Sequence, residues 1–232
     1  MSKELYVYGS DSPIAQADNV LNGKKWAACG DSITSGEKAY EQDEHGRNKT
    51  YAWYVATRNN MNYINCGISG STITNAPGAQ NPFSVTRYLE VPKDCDYITL
   101  WFGINDGTIA PLGTIDDTEN TTFYGAFNVV LTYFLENMKP TTKIGLVISH
   151  GMVGDKRTAI LDIAEKYGIK AFDIPGDPNI PYWDGYRTNG IERPPEAVRT
   201  IRKEQWFADN THPNARGYEY ISTAFEAWLR TL

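Results

Sequence analysis

The chain has 232 residues, 41% of them hydrophobic and 22% charged, with a formal net charge of −6 at pH 7. This length suits one large domain or two small ones and is enough to bury a real core, and the composition excludes extended disorder. The acidic balance gives no reason to expect nucleic acid or an anionic membrane as partner, and no run approaches the roughly 20 apolar residues of a membrane span.

In chain order, residues 1–22 form an arm of mixed polarity without the apolar core of a signal peptide. The expectation is a soluble protein, either cytoplasmic or exported by a route the sequence does not display. Residues 23–232 read as a single domain. Trp26–Cys29 is a first short apolar run, expected as a strand, and a helix is expected at about Thr50–Asn59. Further strands are expected at Tyr63–Cys66 and Tyr97–Phe102. Phe123, Phe127, Val130, Leu131, Phe134 and Met138 recur at helical spacing, and Lys139-Pro140 ends that run. Ile144–Ser149 is a fourth strand. Ile160, Ile163, Ala164 and Tyr167 mark a helix stopped at Gly168, and Lys170–Ile174 is a fifth strand. The last helix carries Tyr218, Ile221, Phe225, Trp228 and Leu232 on one face, with Pro213 expected in its first turn.

Apolar runs alternating with amphipathic stretches predict an α/β fold with a mainly parallel sheet, its strands covered on both faces. Residues 174–196 are too rich in Pro and Gly for a regular element. Within this long loop, Tyr182, Trp183 and Tyr186 either line a substrate groove or pin the loop to itself. Three cysteines, Cys29, Cys66 and Cys95, make neither a disulfide framework nor a zinc site; Cys29 and Cys66 are expected as small buried hydrophobes. Such sparse cysteines fit a reducing compartment.

Chemistry-bearing residues follow three of the strands: Gly30-Asp31-Ser32, Gly67-Ile68-Ser69-Gly70 and Gly103-Ile104-Asn105-Asp106. In parallel sheets ligands collect outside the carboxyl ends of the strands, so these segments should share one edge. A fourth segment, Asp209-Asn210-Thr211-His212, precedes the last helix. A serine hydroxyl becomes a nucleophile when a base takes its proton; His212 could be that base, and Asp209 could orient it. The N–H groups of Ser32 and Gly70 and the Asn105 amide could hold an oxyanion. Asp31 is expected to fix the turn rather than to join the chemistry. Each piece alone has a bland explanation, as a cap serine, turn glycines or a turn asparagine. The weight lies in all four in order.

"GDSITSG", "NCGISGST", "FGIND" and "DNTHP" resemble the four sequence blocks of the SGNH hydrolases, also called the GDSL esterase/lipase family. The resemblance covers residues 30–213. It implies a flavodoxin-like three-layer α/β/α fold and ester hydrolysis through an acyl-serine, with no metal and no organic cofactor. It also implies Ser32 as nucleophile, His212 as base with Asp209 as its partner, and Ser32, Gly70 and Asn105 around the oxyanion. Ile33 stands where the family name has leucine, a conservative change.

His150, after the fourth strand, is either a rival base or substrate contact, or part of the pocket wall; the wall is preferred because no nearby carboxylate orients it. His45 lies in a polar stretch expected to be a solvated loop. The reading that follows is a serine esterase for short, acetyl-like acyl groups on a small molecule or carbohydrate. The alternative is a catalytically vestigial binding module of a larger surface or phage-type assembly, with the 1–22 arm as its docking element. There is no G-x-S-x-G elbow, P-loop or H-E-x-x-H helix. Oligomeric state has no sequence signal.

Overall fold

A computed structural model of the protein describes residues 19–152, 154–177 and 195–232. Five parallel strands form one sheet: β1 (Lys25–Gly30), β2 (Asn62–Gly67), β3 (Tyr97–Trp101), β4 (Lys143–Ile148) and β5 (Lys170–Asp173), in the order β2-β1-β3-β4-β5. The helices are α1 (Ser32–Ser35), α2 (Tyr51–Arg58), α3 (Phe123–Asn137), α4 (Asp155–Tyr167), α5 (Glu196–Trp206) and α6 (Ala215–Leu229), with a 3-10 turn at Arg87–Glu90. All five expected strands and all four expected helices are present, most of their ends within a residue or two.

The strand sequences explain the layers. Side chains alternate across a strand, so an all-apolar run feeds two cores. Ala27, Cys29, Ile98, Leu100, Ile144 and Leu146 face α3 and α4. Trp26, Ala28, Tyr97, Trp101 and Val147 face α2 and α6. The result is the expected three-layer α/β/α sandwich. β1, β3 and β4 are buried along nearly their whole length, whereas β2 lies at the sheet edge and is only partly covered. Cys66, on that edge strand, is accordingly half-buried, while Cys29 and Cys95 are fully buried.

Helix starts follow from capping. Thr50, Thr122 and Asn214 each accept a backbone N–H from the first turn of α2, α3 and α6. Pro213 therefore lies one residue before the cap, not in the first turn as expected; its backbone bridges Phe207 in a short antiparallel contact. α5 was not expected at all. Of the segment 174–196, residues 178–194, which include Tyr182, Trp183 and Tyr186, lie outside the described residues, as do residues 1–18 of the N-terminal arm. Leu21, at the end of that arm, is buried in the core between sheet and α2.

A candidate active site at the strand ends

The order of the strands reverses between β1 and β3, which opens a crevice at their carboxyl ends. The Ser32 segment leaves β1 on one side of this switch point, and the Asn105 segment leaves β3 on the other.

Ser32 opens the single turn of α1. Asp31 caps that turn: its Oδ1 accepts the Ile33 N–H at 3.0 Å. Its carboxylate is buried, and Oδ2 is buried without a hydrogen-bond partner among the described residues. Burial, with Asp106 adding to it, pushes the Asp31 carboxyl up to about 7, against the pull of the Ile33 N–H and of His212. Asp31 fixes the turn, as expected.

The segment after β2 is tied tightly to the one after β1. Ile68 N–H and Ser71 Oγ donate to the Gly30 carbonyl at 3.2 and 3.3 Å, and the Ser35 and Ser69 hydroxyls meet at 3.0 Å. Gly67 allows this approach, since a Cβ there would lie 2.4 Å from the Ser35 nitrogen. Gly70 then turns with φ +74°, a left-handed conformation that suits glycine.

The segment after β3 completes the group. Asn105 Nδ2 donates to the Ser71 carbonyl at 3.0 Å, which uses one of its two N–H bonds. Asp106, fully buried, accepts from Ile73 N–H, Thr74 N–H and Thr74 Oγ1 at 3.2, 3.0 and 2.7 Å. Burial pushes its carboxyl above the usual range. Lys156 donates to the Asp106 carbonyl at 2.9 Å and also to that of Gly107. The N–H groups of Ser32 and Gly70 make no hydrogen bond among the described residues.

The fourth segment reaches in from before α6. Asp209 Oδ1 accepts the N–H of Thr211 and of His212, both at 2.7 Å, so four residues fold into a tight local turn. Asp209 Oδ2 lies 2.8 Å from His212 Nδ1, and His212 Nε2 lies 2.9 Å from Ser32 Oγ. Partial burial opposes the Asp209 charge, but the His212 N–H, the imidazole and the Thr211 N–H outweigh it and hold its carboxyl at about 2. Ser32, His212 and Asp209 are thus joined in one hydrogen-bonded chain across 180 positions of sequence.

His150 lies behind this turn. It is buried, its ring stands edge-on to Phe207 with centroids 4.8 Å apart, and it interacts with the Thr211 backbone. Burial pulls its imidazole down to about 4, so it is neutral at pH 7. His45 is exposed, as expected. One residue near the pair escaped sequence reasoning: the Glu37 carboxylate lies 4.0 Å from His212 Nε2. A lone glutamate in a polar stretch carries no signal that could have singled it out.

Beside the His212 turn, an open groove of about 590 Å³ is lined by Tyr40, Glu41, Glu204, Gln205, Asn214 and Arg216, among others. Among the described residues no three His, Cys, Asp or Glu side chains converge as metal ligands would, and no helix is long and apolar enough to cross a membrane.

The model of the GDSL-like lipase/acylhydrolase family matches residues 28–220. Among solved structures, that of a protein from Lactobacillus plantarum is 26% identical, with a TM-score of 0.69 over 91% of this chain and 98% of that one. A "possible lipase" from Chitinophaga pinensis is 21% identical, with a TM-score of 0.64 over 90% of this chain and 98% of that one. A family two carbohydrate esterase from Clostridium thermocellum, solved in complex with cellohexaose, is 15% identical, with a TM-score of 0.58 over 90% of this chain and 64% of that one. At such identities the last two speak for the fold alone. No curated protein matches the chain.

Proposed function

The chain belongs to the GDSL-like lipase/acylhydrolase family and is a hydrolase of ester bonds, and from that footing we propose that it is a serine esterase working through an acyl-serine intermediate on Ser32. The hydrogen-bonded chain from Asp209 through His212 to the Ser32 hydroxyl, at 2.8 and 2.9 Å, is the observation that carries this reading. His212 Nε2 takes the hydroxyl proton as Ser32 Oγ attacks the acyl carbon. Asp209, ionised at neutral pH, accepts from Nδ1–H and stabilises the imidazolium. The oxyanion is met by the N–H groups of Ser32 and Gly70 and by the second amide N–H of Asn105. Nε2–H then protonates the leaving alcohol, and a water repeats the sequence to free Ser32.

His150 belongs to the wall of the site in this reading: neutral and packed on Phe207, it supports the Asp209–His212 turn from behind. The substrate is a short-chain ester, acetyl-like, carried on a carbohydrate or similar polyol. Two observations support this. The groove beside the His212 turn is lined by an exposed tyrosine and by carboxylate, amide and guanidinium groups next to Ile201 and Ala215, a mixed wall that suits both the hydroxyls and the apolar faces of a sugar ring. The fold also resembles that of a carbohydrate esterase complexed with cellohexaose. Tyr182, Trp183 and Tyr186 are offered as further substrate contacts from the residues alone.

Ser32→Ala should lower kcat by about 10⁶-fold, close to removal of the whole catalytic group. A fluorophosphonate probe should label the wild type and not this variant. Failure of correctly folded wild type to label would favour a binding module in place of an enzyme working through Ser32. Across p-nitrophenyl esters of rising chain length, acetate should be preferred; a preference for octanoate or longer would overturn the short-chain assignment.

A further inference from the structure

The segment after α1 is held more firmly than a surface loop needs to be. Glu37 N–H donates to the Ser32 carbonyl at 3.0 Å, and the Tyr218 hydroxyl, itself on α6, shares its one proton between the carbonyls of Ile33 and Glu37, 3.0 and 3.3 Å away. Beyond it, Lys38 and Tyr40 adopt left-handed backbone, φ 63° and 58°, on either side of the buried Ala39. Two non-glycine residues in that region are uncommon, and such conformations gather at functional sites. The backbone that carries Glu37 is therefore fixed relative to both Ser32 and α6.

Its carboxylate makes no hydrogen bond among the described residues, and the side chain is 39% exposed. It sits 4.0 Å from His212 Nε2, beyond hydrogen-bonding range and nearer than a second layer of side chains would be. In the reaction proposed above, Nε2–H hands its proton to the leaving oxygen, which must then lie about 3 Å from that nitrogen. A hydroxyl three bonds beyond the leaving oxygen, on the neighbouring carbon and gauche to it, falls within reach of Glu37. A carboxylate has acceptor capacity only, so what it can recognise there is a donor.

We propose that Glu37 is a leaving-group specificity residue, accepting a hydrogen bond from the hydroxyl vicinal to the ester oxygen. This rests on the esterase reading of Ser32 and His212 and names which alcohols it serves: diols, polyols and sugars rather than simple alkanols. The same strand of backbone continues to Tyr40 and Glu41, and the His212 turn continues to Asn214 and Arg216; these four residues line the open groove where the remainder of a sugar would lie.

The test is a matched pair of substrates, 2-hydroxyethyl acetate and ethyl acetate, whose leaving groups differ by one hydroxyl. The quantity read is the ratio of their kcat/KM values in wild type, Glu37→Gln and Glu37→Ala. The ratio should fall about tenfold or more in Glu37→Ala, as for loss of a hydrogen bond to a charged group, and less in Glu37→Gln, which keeps a neutral acceptor. Equal loss on both substrates, with a shifted pH profile, would assign Glu37 to tuning His212 and overturn the proposal. An unchanged ratio would overturn it as well. A second pair, acetylcholine and 3,3-dimethylbutyl acetate, separates charge from hydrogen bonding. A ratio that depends on Glu37 only in this second pair would mean attraction of cations, again against the proposal. If Ser32→Ala abolishes hydrolysis of every ester while the Glu37 ratios do not move, the esterase reading stands and this inference alone falls.

Discussion

Two aspartates flank the hydrogen-bonded pair of Ser32 and His212, and their surroundings push them in opposite directions. Asp31, sealed under α1, is driven up to about 7 by burial; Asp209, in a turn at the surface, is held at about 2 by the groups it binds. The contrast extends to the segments they belong to. The serine side is set by the core: β1 is an interior strand, Gly30 and Gly67 leave no spare room, and three segments interlock through Asn105 and Asp106. The histidine side is set locally, by one carboxylate gathering two N–H groups and an imidazole within four residues. Activity and stability should therefore separate on the histidine side and travel together on the serine side.

The largest separation is expected for Asp209→Asn. Loss of the imidazole's partner should cost about 10⁴-fold in kcat, by analogy with other triads, while the melting temperature moves little because the turn is exposed. A large drop in melting temperature would mean that the turn is part of the core after all. Next, Asn105→Ala removes one donor of the proposed oxyanion site and the bond to Ser71 together. Steady-state kinetics should show kcat down by about 10²–10³, and thermal unfolding should show a measurable loss besides. An effect confined to activity would break the claim that this side is interlocked.

The two smaller effects are on stability. Asp31 has a folded-state value raised from 3.8 to about 7. Its contribution is therefore full below about pH 4 and is lost as pH rises through 7. Asn cannot ionise, yet keeps an oxygen to cap Ile33. Relative to wild type, Asp31→Asn should gain stability between pH 4 and 8, on the order of 2–4 kcal/mol. A denaturant series at several pH values measures this, and a pH-independent difference would contradict the burial argument. Last, Gly67→Ala forces a methyl against the Ser35 backbone and should cost about 1–3 kcal/mol, with a parallel fall in kcat as the Gly70 loop shifts.

Much of the fold was legible because the strands are nearly pure apolar runs and the helices repeat on one face. α5 was not, for a physical reason: Val198 and Ile201 are exposed, Trp206 at its last turn packs on the core without a periodic partner before it, and the Pro-rich stretch ahead of it reads as loop. α1 is a single turn, too short for any periodicity. At the site, Ser32, Gly70, Asn105, Asp209 and His212 could be picked out because their types and order match a chemical task. Asp106 looked like a turn residue; that it is buried and binds Ile73 and Thr74 depends on a loop 32 residues away. Glu37 acquires meaning only from its distance to an imidazole contributed from the far end of the chain.

The C-terminal helix also carries Phe225, whose ring centroid lies 4.6–6.2 Å from those of Tyr51, Trp26, Trp101, Phe172 and Trp228. Three indoles and a phenol thus surround a ring on the same helix that follows His212. So rigid and asymmetric an aromatic array should give a strong near-ultraviolet circular dichroism signal, and that signal should weaken when α6 undocks. The protein therefore contains a natural optical gauge of whether α6, the helix that follows His212, is docked, readable without label, substrate or mutation.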